Sequence, residues 1–328
     1  MSRTNGWSAK CILASSNRTV IILLGLFSAW CPSSAQTTSV RQPGVPAQLS
    51  EEESYARFPE LMRLKRWSEA AAMAEELHRR NAQDPRALYW LGISQLQLHN
   101  PIAAAQALRS AEKLGLNTAL SHEDLGLAYY DLNQFFLFEE QMKKAAQLDP
   151  ADSKPHYYLG LYRLTIRSDP ARALEQFEKA MELQPDDWKS VYQAGYCLEQ
   201  LGKIEGARGR YANAITLVEK AGVPFGWPYQ GIGRLLLNDQ PQDALKFAEK
   251  AVALQAAEYS NHLLLAKVYE RLGQADKAIH EAKIAADQNP TDSSARYSLY
   301  KLYRQAGDPQ AAKELKRFEE IRALYGDQ

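Results

Sequence analysis

A nine-residue phrase recurs along the chain and ends each time in proline. It reads MKKAAQLDP at 142–150, FEKAMELQP at 177–185 and AKIAADQNP at 282–290. The closing prolines are 35 and 105 residues apart, and the second interval is three times the first. A fixed period of this size indicates repeated supersecondary units, each of which buries its apolar face only against its neighbours.

Each period contains the pattern of two helices. Leu-Gly pairs at 91–92, 125–126 and 159–160 are spaced by 34 residues, and no stretch shows the alternation of a strand. Seven residues make two helical turns, so alanines at that spacing share one face and allow a second helix to approach closely. Such pairs follow the Leu-Gly phrase or its equivalent at Ala104 and Ala111, Ala173 and Ala180, Ala207 and Ala214, Ala244 and Ala251, and Ala278 and Ala285.

These phrases resemble the tetratricopeptide repeat, a 34-residue helix-turn-helix unit. The third unit contains Leu125, Gly126, Tyr129, Ala145 and Pro150, and the seventh contains Leu265, Ala266, Tyr269, Gly273, Ala278, Ala285 and Pro290. The resemblance implies an all-α, right-handed superhelical solenoid of about eight repeats over residues 52–325. The expected units are 52–84, 85–118, 119–152, 153–187, 188–222, 223–257, 258–291 and 292–325.

The prolines mark the junctions between units. Proline cannot continue a helix interior, and an aspartate just after it can cap the free amides of the next helix. Asp152, Asp187 and Asp292 occupy that place. The last segment, 311–325, has apolar residues on one side and is expected to form the terminal cap.

Two positions depart from the repeat pattern. Phe138 stands where the repeat has a small residue, so we expect it to push the two helices of the third unit apart or to shift their register. The segment GVPFGWPYQG at 222–231 adds about three residues before the sixth unit. It is either a longer loop, or a hinge or aromatic contact site built on Phe225, Trp227 and Tyr229.

The N-terminus is a different kind of segment. Arg3, Lys10 and Arg18 precede the apolar run at 20–30, and small residues follow at 33 and 35, which predicts a signal peptide over 1–35. Acylation of Cys31 is not favoured, because Trp30 precedes it. Residues 36–51 are expected to be a flexible linker, with Ser50 and Glu53 forming the capping box of the first helix.

Composition narrows the classes of partner. The 39 basic residues balance 39 acidic ones, so no basic field recruits nucleic acid or an anionic membrane. Cys197 is the only cysteine after residue 35 and lies in an apolar helical pattern, which indicates a buried, inert thiol.

No catalytic or phosphate-binding motif is found in the sequence, so no enzymatic activity and no cofactor are expected. The phrase GIGRLL at 231–236 lacks the third glycine and the preceding strand of a dinucleotide loop. His122, His156 and His262 share one position in their repeats, but equivalent positions on stacked units lie too far apart for one metal ion. Helix packing is the favoured interpretation, and no metal site is predicted.

The family resemblance implies a concave groove lined by the first helix of each repeat. The fifth residue of a repeat points into that groove in the family, which selects Tyr89, Glu123, Tyr157, Tyr192, Leu263 and Tyr297, together with Tyr229 if the irregular sixth unit keeps the register. Cations and a further ring stand nearby at Lys154, Lys189, Tyr196, Lys267, Lys301 and Arg304. Rings beside cations suit a peptide with acidic groups, although tyrosine at the fifth position also packs against its neighbours. The Lys/Asn/Arg clamp with which some relatives bind C-terminal carboxylates is not reproduced, since Asp124 and Tyr158 stand in its place.

The sequence therefore predicts a non-catalytic scaffold or adaptor, exported to the bacterial periplasm or secreted, that binds a protein or peptide segment in its groove. After cleavage of the signal no membrane contact is expected. The alternative is a polysaccharide-handling or export factor that stacks glycans on the groove tyrosines.

Overall fold

The computed structural model describes residues 50–325, which form two helical arrays. The predicted signal peptide, and all but the last two residues of the predicted linker, lie outside the described residues. The first array ends at Pro150 and holds α1 (Glu51–Arg63), α2 (Trp67–Arg80), α3 (Pro85–Gln97), α4 (Pro101–Lys113), α5 (Ala119–Asp131) and α6 (Phe135–Leu148).

The second array begins at Ala151 and contains five further hairpins. Its helices are α7 (Lys154–Thr165), α8 (Pro170–Leu183), α9 (Trp188–Gln200), α10 (Ile204–Ala221), α11 (Trp227–Leu236), α12 (Pro241–Leu254), α13 (Tyr259–Arg271), α14 (Ala275–Gln288), α15 (Ser293–Gln305) and α16 (Gln310–Tyr325). No strand occurs among residues 50–325. The predicted all-α repeat solenoid is confirmed.

The Leu-Gly pairs are the contact points within hairpins. A Cβ on Gly92, Gly126 or Gly160 would lie 2.5 to 2.7 Å from a side chain of the second helix of the same hairpin. The alanines seven residues apart are buried on the facing helix, as at Ala173 and Ala180. Small residues on both sides let the two helix axes approach, as the spacing predicted.

The junctions between hairpins are capped by aspartate. Asp187 accepts hydrogen bonds from the amides of Lys189 and Ser190, and Asp292 accepts one from the amide of Ala295. Asp152 accepts one from the amide of Lys154. The predicted role of the aspartates that follow the prolines is confirmed, and so is the capping box of Ser50 and Glu53 at the start of α1.

Phe138 does not separate its hairpin. Its side chain is buried, and its ring packs edge-on against Tyr130 with 5.2 Å between centroids. The contact at Gly126 remains as close as that at Gly160, since a Cβ on either would lie 2.7 Å from the facing side chain. The expectation that Phe138 pushes α5 and α6 apart is wrong, because the ring packs against Tyr130 rather than forcing the helices away from each other.

The extra residues before the sixth hairpin lengthen α10 and pack against neighbouring hairpins. α10 has 18 residues and ends at Gly222 in the left-handed conformation, whereas α11 has only 10. Phe225 packs on Trp188 and Tyr192, and the amide of Gly226 donates to Gln255 Oε1 at 2.8 Å. The aromatic residues of 222–231 therefore join neighbouring hairpins, which supports the packed-loop interpretation over an open contact site.

Candidate functional site

The predicted groove residues all lie on first helices of hairpins. Two belong to the first array, Tyr89 on α3 and Glu123 on α5. The others belong to the second array and lie on α7, α9, α11, α13 and α15. They are Lys154, Tyr157, Lys189, Tyr192, Tyr196, Tyr229, Leu263, Lys267, Tyr297, Lys301 and Arg304.

In the first array the predicted residues are used internally. The Tyr89 hydroxyl donates to Asp124 Oδ2 at 3.1 Å and so links α3 to α5. Glu123 is only 1% exposed. Its carboxylate is therefore not presented to solvent.

Several fifth-position residues of the second array are also part of the core. Tyr192 packs against Tyr211 and Phe225 with centroid distances of 5.8 and 5.5 Å. The Tyr229 hydroxyl donates to Glu219 Oε1 at 2.6 Å, and both Tyr229 and Leu263 are buried. These residues hold consecutive hairpins together and offer no ring face on which a sugar could stack.

Three of the predicted cations already have local contacts. Lys154 pairs with Asp152 at 3.4 Å, and the ammonium of Lys189 lies 5.4 Å from the ring centroid of Trp188. Arg304 donates to the Tyr300 hydroxyl at 3.2 Å. These contacts are at the surface and leave the charges accessible, so each cation remains available to an approaching anionic group.

We call the surface formed by α7, α9, α11, α13 and α15 the inner face of the second array. Tyr157 and Tyr196 on this face are half-buried, and Lys267 is exposed. Burial raises the pKa of both phenols and lowers the pKa of the Lys267 ammonium. These shifts reflect desolvation, because protein atoms surround each group on several sides.

A chain of polar contacts crosses the inner face. Arg234 on α11 donates to both carboxylate oxygens of Glu199 on α9, at 2.6 and 2.7 Å. Gln230 on α11 donates to the Ser260 hydroxyl on α13 at 2.7 Å. Burial by itself would lower the pKa of Arg234, but the hydrogen bonds and charge of Glu199 raise it. First helices of successive hairpins are thus fixed side by side, in a rigid polar surface.

The C-terminal end of the inner face opens into a cavity of about 550 Å³ between α13, α15 and α16. Three predicted groove residues line it, namely Lys267, Tyr297 and Lys301. Sequence reasoning missed the contribution of Ser298 and of Phe318 and Arg322 from α16. Phe318 and Arg322 were missed because they lie on α16, a second helix, whereas the repeat pattern selects only first-helix positions for the groove.

The three histidines bridge the two helices of their own hairpins. His122 Nδ1 lies 2.5 Å from Gln141 Oε1, His156 Nδ1 lies 3.0 Å from Gln176 Oε1, and His262 Nδ1 lies 2.6 Å from Glu281 Oε2. Each ring therefore has its polar partner within its hairpin. This supports helix packing as the reason for their common position.

Two other sequence features also have structural roles. Cys197 is fully buried, and desolvation raises the pKa of its thiol to about 12. Gly231 of the GIGRLL phrase lies on α11 against the Tyr211 ring, where a Cβ would approach ring carbon to 2.6 Å. The glycine allows close helix packing. The phrase is part of a helix, which agrees with the sequence-based conclusion that it is not a dinucleotide-binding loop. Within residues 50–325 no helix has the length and apolarity required to cross a membrane.

Tandem helical hairpins joined in this way define a class of interaction fold, and sequence comparison gives the family. The tetratricopeptide repeat model matches residues 55–115, 167–223 and 263–321, which is more than half of the 328 residues. The chain belongs to the tetratricopeptide repeat family.

Individual relatives are distant. The chain is 25% identical over 240 residues to tetratricopeptide repeat protein 37 of Xenopus laevis, covering 71% of this chain. It is 26% identical over 261 residues to cellulose synthase operon protein C of Xanthomonas axonopodis pv. citri (strain 306), covering 76%. It spans only 15% of the length of either relative. Among solved structures, a chain of the APC/C hetero-tetramer Cut9-Hcn1 superposes with a TM-score of 0.63 at 14% identity, covering 77% of this chain and 49% of that one.

Proposed function

We propose that the protein is a non-catalytic scaffold of the bacterial cell envelope that binds a segment of a partner protein along the inner face of the second array. The observation that carries this proposal is the set of half-buried tyrosines and accessible cations on consecutive first helices, two of which are linked by the Glu199–Arg234 pair. A preformed surface binds an extended segment without an ordering cost of its own.

The chemistry of the inner face suits a peptide better than a sugar chain. Tyr192 and Tyr229 are closed off in the core, whereas Tyr157 and Tyr196 expose only part of each side chain. A peptide can use partly exposed rings for its side chains, and acidic groups on it can approach the accessible cations Lys154 and Arg304. A stacked glycan needs an open ring face.

Export to the envelope is part of the same proposal. It rests on the basic residues and apolar run within 1–35. The test is N-terminal sequencing of the protein recovered from a bacterial envelope fraction. A mature chain that begins at Gln36 supports export, and an intact N-terminus in the cytosol would reject it.

The binding proposal is tested by affinity capture of tagged residues 36–328 from cross-linked envelope extract, followed by mass spectrometry. The informative variant is Tyr157→Ala combined with Tyr196→Ala, because both rings are accessible on the inner face. Loss of two contact rings should cost about 2 kcal/mol or more of binding free energy. Tyr325→Ala is the matched control, since this tyrosine is half exposed at the end of α16.

The proposal predicts one dominant protein that wild type and Tyr325→Ala retain and the double variant loses. Circular dichroism must show equal helicity in all three proteins. A partner retained equally by the double variant would place binding elsewhere and contradict the proposal.

A second candidate is a polysaccharide-handling role. The similarity to cellulose synthase operon protein C, over 261 residues, favours testing it. Glycan retained from the same extract in the absence of any protein partner would support this role and reject the peptide-binding one.

A further inference from the structure

The cavity at the C-terminal end of the inner face has an unbalanced charge. Lys267, Lys301 and Arg322 contribute three cations to its lining, and Glu270 contributes the one carboxylate. Glu270 Oε1 pairs with Lys301 at 3.1 Å. The cavity therefore carries an excess of about two positive charges at neutral pH, before any neighbour outside the lining is counted.

Lys267 is the cation that remains unmatched. Its ammonium has no ion pair or hydrogen bond among residues 50–325, although it lies in the same cavity as the Lys301–Glu270 pair. Asp292 is near enough for its charge to raise the pKa of Lys267, but it makes no ion pair with the ammonium and instead caps α15, where it accepts from the Ala295 amide at 2.9 Å. Desolvation outweighs its effect, and Lys301 adds to the lowering.

A buried hydroxyl lines the same cavity without a partner. Ser298 is 5% exposed, and within the described part of the chain its Oγ makes no hydrogen bond. Other helical hydroxyls in this protein donate to a carbonyl one turn earlier, as Ser94 does to Trp90 at 2.8 Å and Thr165 does to Leu161 at 2.8 Å. A buried hydroxyl left unpaired is unfavourable, and rotation of the Ser298 side chain toward the cavity would present it to an incoming acceptor.

Two aromatic rings form the remaining wall. Tyr297 is 45% exposed and packs on Phe318 with 5.2 Å between ring centroids. Arg322 lies over Phe318, with 5.3 Å from its guanidinium carbon to the ring centroid. An apolar side chain can therefore lie on Tyr297 beside an acidic group that reaches the cations.

We propose that this cavity binds an acidic side chain of the partner segment, with Lys267 and the Ser298 hydroxyl donating to its carboxylate and Tyr297 contacting a neighbouring apolar residue. The inference rests on the proposed function and gives the chemistry of its partner: a peptide with Asp or Glu next to an apolar side chain. A cavity of 550 Å³ is within the range of about 300–1,000 Å³ typical of ligand sites. Lys301 and Arg322 attract the carboxylate at longer range while they keep their contacts with Glu270 and Phe318.

The test is selection of random 12-residue peptides displayed on phage against immobilised residues 36–328. The same library is selected against Lys267→Met, which removes the charge and keeps the length of the side chain, and against Lys267→Arg, which keeps the charge. Lys246→Met is the matched control. Lys246 is a highly exposed lysine that pairs with Asp243, and both lie on α12, a second helix that is not part of the inner face.

One peptide retained by the wild type is then synthesised with a fluorescent label, together with an analogue in which Gln and Asn replace Glu and Asp. We expect the retained peptides to be enriched in acidic residues beside apolar ones. Both Lys267→Met and the neutral analogue should weaken binding about tenfold or more, because a charge-assisted hydrogen bond is lost. Lys267→Arg and Lys246→Met should bind within about twofold of wild type.

The neutral analogue keeps the test decisive even if a variant loses its fold. Peptides that bind wild type and Lys267→Met equally, with no acidic enrichment, would overturn this inference and leave the proposed function intact. A wild type that retains no peptide but binds polygalacturonate, a carboxylated glycan, would overturn both.

Discussion

At the residue scale, the turns inside seven of the eight described hairpins share one backbone conformation, and the turn between α11 and α12 is the exception. Lys65, His99, Asn133 and Ser168 have φ between 51° and 57°, and Gly202, Gly273 and Gly307 have φ between 68° and 71° at the corresponding places. The left-handed conformation costs a residue with a Cβ roughly 1–2 kcal/mol, and glycine nothing. Seven hairpin turns therefore adopt the conformation, and only three of them use glycine, the residue that adopts it without strain.

Gly202→Ala should lower the free energy of unfolding by about 1 kcal/mol, through backbone strain alone. No atom lies within 4 Å of the added Cβ, so no clash contributes. Gly209→Ala is the matched control: it is also unobstructed but lies inside α10, where alanine should raise stability by about 0.5–1 kcal/mol. Urea unfolding followed by circular dichroism measures the free energy of unfolding of both variants. A change in the same direction for both would refute the explanation.

Lys267 should react with acetic anhydride at mildly alkaline pH faster than other lysines. Desolvation and the charge of Lys301 lower the pKa of its amine. At a given pH, a larger fraction of Lys267 than of an ordinary lysine is therefore neutral and nucleophilic. Lys283 is the internal comparison, because the Tyr303 hydroxyl raises its pKa. Peptide mass spectrometry after brief labelling gives the two extents, and preferential labelling of Lys283 would contradict the electrostatics derived for the cavity.

Cys197 should be inert in the native protein. Its thiol is buried and has a pKa of about 12, so almost no thiolate exists at pH 8 and no reagent reaches the sulfur. Mature protein, in which Cys197 is the only cysteine after residue 35, should give no fast reaction with Ellman's reagent. One equivalent should react after unfolding in guanidinium chloride. Rapid labelling of the folded protein would mean that α9 opens locally.

At the element scale, the approach of two helices in a hairpin depends on glycine facing a large side chain. Gly160 on α7 faces the Phe177 ring of α8, where an added Cβ would lie 2.7 Å from a ring carbon. Phe177 is completely buried and cannot move away without opening a gap elsewhere. The close contact is therefore a property of the hairpin rather than of either helix alone.

Gly160→Ala should destabilise the second array by about 1–3 kcal/mol, the usual cost of overpacking a core. Gly206→Ala provides the comparison, since the nearest atom to its added Cβ is Leu198 Cδ1 at an ordinary 3.4 Å. That substitution should leave stability unchanged or slightly higher. Thermal unfolding of both variants distinguishes overpacking from a general intolerance of alanine at helix positions.

The sequence could predict these hairpins because local spacing encodes them. Leu-Gly pairs, alanines seven apart and aspartates after proline all act within a few residues or between adjacent helices. Phe138 shows where this reasoning fails. Its size indicated a separation, yet its ring packs against Tyr130, a contact that the pattern of one repeat could not show.

At the scale of the whole molecule, the described chain forms two compact units, and each is stabilised by contacts between successive hairpins. The second unit has a core that extends through α12, α13, α14 and α15, with residues such as Leu265 and Leu299 buried at its centre. An array of this kind gains stability from nearest-neighbour contacts, and five hairpins exceed the minimum of about three.

Residues 151–325 expressed alone should therefore fold. We expect a helical circular dichroism spectrum and a cooperative thermal transition, and the fragment should keep the Lys267 reactivity predicted above because the whole cavity lies within it. A disordered fragment would show that the second unit depends on residues before 151.

The sequence by itself determined the helical repeat, the hairpin contacts and the junction caps, because each depends on residues a few positions apart or on a regular period. It also selected the first-helix positions on which the inner face is built. Only the tertiary structure decided which of those residues face solvent. Tyr192 and Tyr229 are core residues because neighbouring hairpins and the 222–231 segment cover them. Lys267, Ser298 and Phe318 line one cavity because α13, α15 and α16 pack together there. Burial and charge balance depend on contacts between distant residues, which no local pattern in the chain specifies.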